Sequence, residues 1–99
     1  MIEIDGRFFD WDENKYAINI RKHGISFNEA ASVFFDENAI EIDDIKHSQD
    51  EDRFLVIGRS KRLRLLVVCH CYRKNNTLIR IISARKADAT EAELYGGAR

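Results

Sequence analysis

The sequence predicts an α+β fold, a RelE-like antiparallel β-sheet in the terms set out below, with N-terminal helices packed on one face and a short C-terminal helix. Three observations carry this expectation. The first third of the chain holds two capped helical segments. The second half holds three strand-like aliphatic runs. The turns between those runs are short, which makes neighbouring strands antiparallel. The chain has 99 residues, a length that suits one domain over 1–99 with a single core.

Ile2-Glu3-Ile4 alternates as a short strand does. Phe8 to Trp11 is an apolar aromatic run that leads into Asp12, a good N-cap for a helix of about 11 residues through Lys22. Gly24 stands where a left-handed C-terminal residue belongs. Tyr16, Ile20 and His23 lie near one face of this helix, and Lys15, Asn19 and Lys22 near another. Ser26-x-x-Glu29 reads as a capping box that opens a second helix, with Phe27, Ala30, Ala31 and Phe34 as its apolar stripe. Ala39 to Ile42 suits a short strand. A polar, acidic loop over 43–52 follows and contains His47-Ser48. The three main strands are expected at Arg53–Gly58, Leu65–Tyr72 and Thr77–Arg85, with Lys61-Arg62 and Lys74-Asn75-Asn76 as the turns between them. Asp88-x-x-Glu91 caps a last short helix that stops at Gly96-Gly97.

Composition excludes several classes. No apolar stretch approaches the ~20 residues that a membrane span needs, and no signal peptide is visible. Cys69 and Cys71 would point to the same face with Cα atoms about 6.5–7 Å apart, the outer limit for a disulfide, so free thiols in a reducing cytoplasm are expected. The three histidines sit on unrelated elements, so neither a metal nor any other cofactor is expected. The formal net charge of −1 is unlike the basic balance of most nucleic-acid binders. Its distribution is uneven. Residues 36–52 carry eight Asp/Glu against Lys46 alone, and residues 53–86 carry ten Lys/Arg and no Asp or Glu.

Arg80 stands in the middle of Thr77–Arg85, among aliphatic residues. A guanidinium does not lose its charge at ordinary pH, and without partners in an apolar core it would cost several kcal/mol, roughly. Either it pairs with a carboxylate, for which Glu29, Glu51 and Glu91 are available, or its side of the sheet opens into a cleft for an anion. If Lys61-Arg62 is a two-residue turn and Lys74 to Asn76 a three-residue turn, His70 faces both Arg53 and Arg80. Those three residues then form a row across three strands, with Arg64 further along the same face. Two guanidiniums can clamp a phosphodiester and an imidazole can move a proton. On the structural reading, His70 is instead a hydrogen-bonded core histidine, His23 helps to finish its helix, His47 is solvated, Lys15 and Lys22 form a solvated face, and Trp11 is a core aromatic.

The same residues occur in a recognisable order. Trp11-Asp12-x-x-Lys15, Asn19, Lys22-His23-Gly24, Phe27-x-Glu29-Ala30, Phe34-x-Asp36, His47-Ser48, Glu51-x-Arg53, Gly58, Arg73 and Ile79-Arg80-Ile81-Ile82-Ser83-Ala84-Arg85-Lys86-Ala87, with Glu91 and Tyr95, resemble the BrnT family of toxins over residues 8–95. The resemblance implies a RelE-like fold and a bacterial type II toxin–antitoxin system. It implies a ribonuclease that arrests translation, and a BrnA-type ribbon-helix-helix antitoxin that binds DNA, so that the complex represses its own operon. Arg53, Arg80 and Arg85, with His47 and Glu51 from the loop, are carried over as catalytic candidates. His70 joins them from the register argument, and Lys15, Lys22 and Arg64 are candidate RNA contacts. The expected partners are RNA and the antitoxin in a 2:2 heterotetramer, with DNA reached only through the antitoxin and no membrane. The chain alone would be a monomer, because no heptads or exposed apolar run mark a dimer seam. The alternative is an inactive module that holds the antitoxin.

Overall fold

The computed structural model describes residues 1–97, and the last two positions of the expected 1–99 domain lie outside the described residues. Six strands form one sheet: β1 (Ile2–Ile4), β2 (Arg7–Trp11), β3 (Ile40–Asp43), β4 (Phe54–Arg59), β5 (Leu65–Arg73) and β6 (Leu78–Lys86), in the order β1-β2-β6-β5-β4-β3. The helices are α1 (Glu13–His23), α2 (Phe27–Ser32, continued by a 3₁₀ turn over Val33–Phe35) and α3 (Ala89–Gly97). The Phe8–Trp11 run is itself a strand. It pairs with β1 as a hairpin and lies parallel to β6, with Phe9 beside Ile79 and Asp10 beside Arg80. Every other pairing is antiparallel.

The caps form largely as expected. Asp12 accepts from the Asn14 N–H at 2.8 Å, and Gly24 closes α1 at φ 67°. The Glu91 N–H donates to Asp88 and the Asp88 N–H to Glu91, at 2.8 and 2.9 Å, a complete capping box for α3. The box at Ser26 is only half built. Ser26 Oγ accepts from the Glu29 N–H at 3.1 Å, but the Glu29 carboxylate turns away to the Ser60 hydroxyl at 2.7 Å and to Arg64. A carboxylate that is 2% exposed needs a charged partner more than α2 needs a second cap bond.

Both faces of the sheet are used. On one face Phe9, Val56, Leu66, Val68, Ile79, Ile81 and Ala84 pack against Ile25, Phe27, Ala30, Ala31 and Val33 from the α1–α2 layer. Gly58 permits the close approach there, since a Cβ at that position would lie 2.8 Å from the Val33 side chain. The alternate residues Ile57 and Val67 pack with Tyr95 of α3 on the opposite face. The N-terminal helices thus share one face as expected, and the short C-terminal helix α3 covers part of the second face and leaves the rest open. Asp36 ties the layers together by accepting from the Arg59 N–H and the Tyr95 hydroxyl, both at 2.7 Å. Burial alone would push its carboxyl up, and these bonds with the Asn38 N–H hold it below its ordinary value.

Each hairpin turn is one residue longer than expected. Ser60 N–H bonds the Arg64 carbonyl at 2.8 Å, so the first loop is Lys61-Arg62-Leu63, with Leu63 in the left-handed region at φ 64°. The second runs from Lys74 to Thr77, with Arg73 facing Leu78 and with Lys74, Asn75 and Asn76 all at positive φ. The register shifts accordingly. His70 faces Phe54 and Ile81, and Arg80 faces Cys71. A further irregularity falls at Cys69/His70, where Ile82 is the extra residue on β6, so that Ser83 faces Cys69 and Ala84 faces Val68.

Candidate active site

The row of Arg53, His70 and Arg80 does not form. His70 belongs to the helix-covered face and is fully buried. Its ring meets Phe34 edge-on at 4.7 Å, its Nδ1 lies 3.0 Å from the Val68 carbonyl, and its Nε2 lies 2.9 Å from Glu41 Oε1. Tyr72 donates to the same carboxylate oxygen at 2.5 Å, and burial followed by that bond pushes the Tyr72 phenol up. His70 is thus the hydrogen-bonded core histidine of the structural reading, and it tethers edge strand β3 through Glu41. Arg64 also lies on the helix side. It forms an ion pair with Glu29, so it does not stand beside Arg80, and its guanidinium holds the Glu29 carboxyl below its ordinary value. Arg53 precedes Phe54, so alternation puts it on the open face, where its charge acts on the Cys69 thiol. It shares that face with Arg80, without His70.

Arg80 takes the first of its two alternatives and pairs with a carboxylate. The partner is Asp10, its neighbour on parallel β2. Nε and Nη2 donate to the two carboxylate oxygens at 3.0 and 2.8 Å, a bidentate pair that draws the Asp10 carboxyl below its ordinary value. The expected acids serve other arginines: Glu29 holds Arg64, Glu51 holds Arg73 at 2.9 Å, and Glu91 holds Arg85 at 2.8 and 2.7 Å. A phosphate arriving at Arg80 must displace Asp10 and then stand beside its charge. Each of those effects costs on the order of 1 kcal/mol at a site this exposed.

The 44–53 loop is closed on itself. Asp44 N–H bonds the Arg53 carbonyl at 2.8 Å, Ser48 Oγ donates to the Asp44 carbonyl at 2.7 Å, and the Arg53 N–H donates to Ser48 Oγ at 2.9 Å. This accounts for Ser48 in the motif, whereas Arg53 enters these bonds only through its backbone. The closed loop presents His47, whose ring is 61% exposed, while its Nδ1 meets the two oxygens of nearly buried Asp44 at 3.1 and 3.0 Å. Nε2 is left to face solvent. An exposed imidazole with one nitrogen fixed by a carboxylate is the arrangement of an oriented general base. His47, Glu51 and Arg53 line one pocket here with Lys46, Gln49 and Asp50. The Cys69 thiol points to Asp44 at 3.6 Å. Burial, then Asp44, pushes it up to about 11, so it stays a protonated thiol rather than a nucleophile. Cys69 and Cys71 are both buried and free.

A groove between α1 and β6 brings the two halves of the motif together. Lys15, Ile18, Asn19, Lys22 and His23 line one side, and Ile82, Ser83 and Arg85 the other. Asn19 holds the two elements in place. β2 ends beside Ile81, so the Ala84 backbone has lost its strand neighbour on that edge. The Asn19 side chain replaces it, donating to the Ala84 carbonyl at 2.9 Å and accepting from the Ala84 N–H at 3.0 Å, while also donating to the Ile25 carbonyl at 3.1 Å. Lys15, Asn19 and His23 follow at i, i+4 and i+8, so His23 lies on the groove side and not with Ile20, which is 40% exposed. Among the described residues that line this groove none is a carboxylate, although Glu91 holds the lining Arg85. Lys15 and Lys22, both expected as RNA contacts, take part in none of the ion pairs among the described residues. Asp10, Asp44, His23 and Ser83 were not singled out as site residues from sequence. The i, i+3 spacing of Asp44 and His47 and the i, i+4 spacing of Asn19 and His23 were the available signals.

A small α+β protein with a cationic groove between a helix and a strand, and an oriented imidazole on its 44–53 loop, fits a protein that handles a phosphodiester. The model of a protein family described as ribonuclease toxin, BrnT, of type II toxin–antitoxin system matches residues 11–91. Among solved structures, the chain is similar to the crystal structure of the Brucella abortus ribonuclease toxin, BrnT, at 25% identity and a TM-score of 0.63, over 83% of this chain and 97% of that one. No curated protein matches the chain. The chain belongs to the BrnT family of ribonuclease toxins of type II toxin–antitoxin systems. Among the described residues, no helix is long and apolar enough to cross a membrane.

Proposed function

We propose that this chain, as one domain over 1–99, is a cytoplasmic endoribonuclease toxin that cuts RNA by attack of the ribose 2′-hydroxyl on the adjacent phosphate. The products are a 2′,3′-cyclic phosphate and a free 5′-hydroxyl. The observation that supports this reading is the α1–β6 groove, which gathers Lys15 and Lys22, neither in an ion pair among the described residues, with Arg85, which Glu91 holds. In the reaction, Lys15 and Lys22 hold the RNA backbone, Arg53 and Arg85 hold the phosphate, and Arg85 meets the charge that grows on it. His47 takes the 2′-hydroxyl proton on Nε2, with Asp44 steadying the imidazolium. Arg80 adds its donors only where RNA displaces Asp10, and Glu51 remains a secondary proton carrier tied to Arg73. Base and charge both come from side chains, so no metal is required.

The antitoxin in this reading is a ribbon-helix-helix protein whose dimer axis builds a 2:2 heterotetramer, and DNA is reached through it alone. Inducing the chain by itself in bacteria is expected to stop growth and deplete bulk mRNA, and co-expression of the antitoxin to restore both. The engagement of Arg64, Arg73, Arg80 and Arg85 by carboxylates favours a second reading, an inactive module that only holds the antitoxin. Unimpaired growth with the folded chain accumulating would establish that second reading.

A further inference from the structure

We propose that His23 is a catalytic residue of the same reaction, the acid that protonates the leaving 5′-oxygen while His47 serves as base. This inference rests on the ribonuclease reading above. Three observations carry it. His23 is half-buried in the groove with Ser83 and Arg85, and its ring makes no hydrogen bond or ion pair among the described residues. A histidine that merely finished its helix would spend a ring N–H on a terminal carbonyl. Here the Ile20 carbonyl is taken by the Gly24 N–H at 2.9 Å. Finally, the position of the ring is built. Asn19, one helical turn earlier, bonds both backbone groups of Ala84, the residue between Ser83 and Arg85.

His23 shares the groove with Lys15 and Lys22 from its own helix and with Ser83 and Arg85 from β6, Arg85 being paired with the Glu91 carboxylate of α3. In the proposed step His23 acts in its protonated form beside the scissile bond. The step balances. The 2′-oxygen gives its proton to His47 and forms the new P–O bond. The P–O5′ bond breaks, and O5′ takes the proton from His23. Proton exchange with water restores both rings, and the RNA neither gains nor loses a proton overall.

The test uses mixed-sequence oligonucleotides that carry one ribonucleotide, made with either an oxygen or a sulfur bridging to the 5′-carbon of the next residue. A thiolate leaves without protonation. His23→Ala is expected to lose about 10²–10⁴-fold in rate on the oxygen substrate and to stay within a few-fold of the parent on the sulfur substrate. His47→Ala is expected to lose rate on both. Equal losses for His23→Ala on the two substrates, or no loss on either, overturn the proposal. His23→Gln, checked by circular dichroism, stands in if the alanine variant does not fold. A parent chain that cuts neither substrate overturns the ribonuclease reading and this proposal with it, whereas a parent that cuts both with His23 indifferent overturns this proposal alone.

Discussion

Arg85→Ala is expected to lower the rate of RNA cleavage by about 10²–10³-fold, the loss that follows removal of one preorganised donor from developing negative charge. Arg85 is held in place before any RNA arrives. Its Nη1 and Nη2 lie 2.8 and 2.7 Å from the two oxygens of Glu91, which itself completes the cap of α3. Glu91 takes one N–H each from Nη1 and Nη2, and Nη1 also lies 3.4 Å from the Lys86 carbonyl. Nε and the second Nη2 hydrogen are therefore the donors left for RNA, which here, as at Arg80, meets a cation already paired. Folding should hardly change, because the Arg85 side chain is 40% exposed and a pair at that exposure contributes at most about 1 kcal/mol. Cleavage kinetics and a thermal melt on the same preparation separate the two effects. Arg85→Lys restores the charge without the fork and should recover only part of the rate. An alanine variant that cuts RNA as fast as the parent would remove Arg85 from the mechanism.

Asn19→Ala is expected to cost about 2–4 kcal/mol of folding stability, a large share of the roughly 5–15 kcal/mol available to a domain. Asn19 is 3% exposed. Removing its amide takes the partners of the Ala84 N–H, the Ala84 carbonyl and the Ile25 carbonyl away at an almost fully buried position. Urea unfolding measures the loss. Activity should fall further than stability accounts for, since α1 carries Lys15, Lys22 and His23 into the groove through this one side chain. A variant with the parent's unfolding midpoint would show that water or a shift of α1 can replace the amide.

Much of this fold was legible because local chemistry decides it. Asp12, Ser26 and Asp88 marked the helix starts, Gly24 marked an end, and the aliphatic runs placed β4, β5 and β6 to within a residue or two. What failed was register, and for a definite reason. The extra residues are Leu63, which adopts positive φ without being glycine or asparagine, and Thr77, a residue type common in strands, so nothing in the local residue types signals the longer loops. A slip of one residue moves a side chain to the other face, which is how His70 passed from the expected row into the core. Both hairpins slipped in the same sense, so Arg53 and Arg80 stayed together on the open face while His70 left it.

The site was harder to read than the fold because its decisive contacts are long-range. Asp10 meets Arg80 across 70 positions of sequence through a parallel pairing that an aromatic run does not announce. Asn19 reaches Ala84 across 65 positions, and its need arises only because β2 stops at Trp11. The family motif contains residues from both sides of the groove. Their division of labour follows from placement: Asn19, Ser48 and Asp36 hold the structure, while Lys15, Lys22, His23, His47 and Arg85 present cations and imidazoles to solvent.

The central claim is that this chain cuts RNA with its own side chains through the ribose 2′-hydroxyl. End-group analysis of RNA cut by the purified chain in the presence of a metal chelator tests it most directly. The account predicts that cleavage proceeds and leaves 2′,3′-cyclic phosphate and 5′-hydroxyl ends. Fragments bearing 5′-phosphate and 3′-hydroxyl ends, or cleavage that stops when the chelator is added, would contradict it.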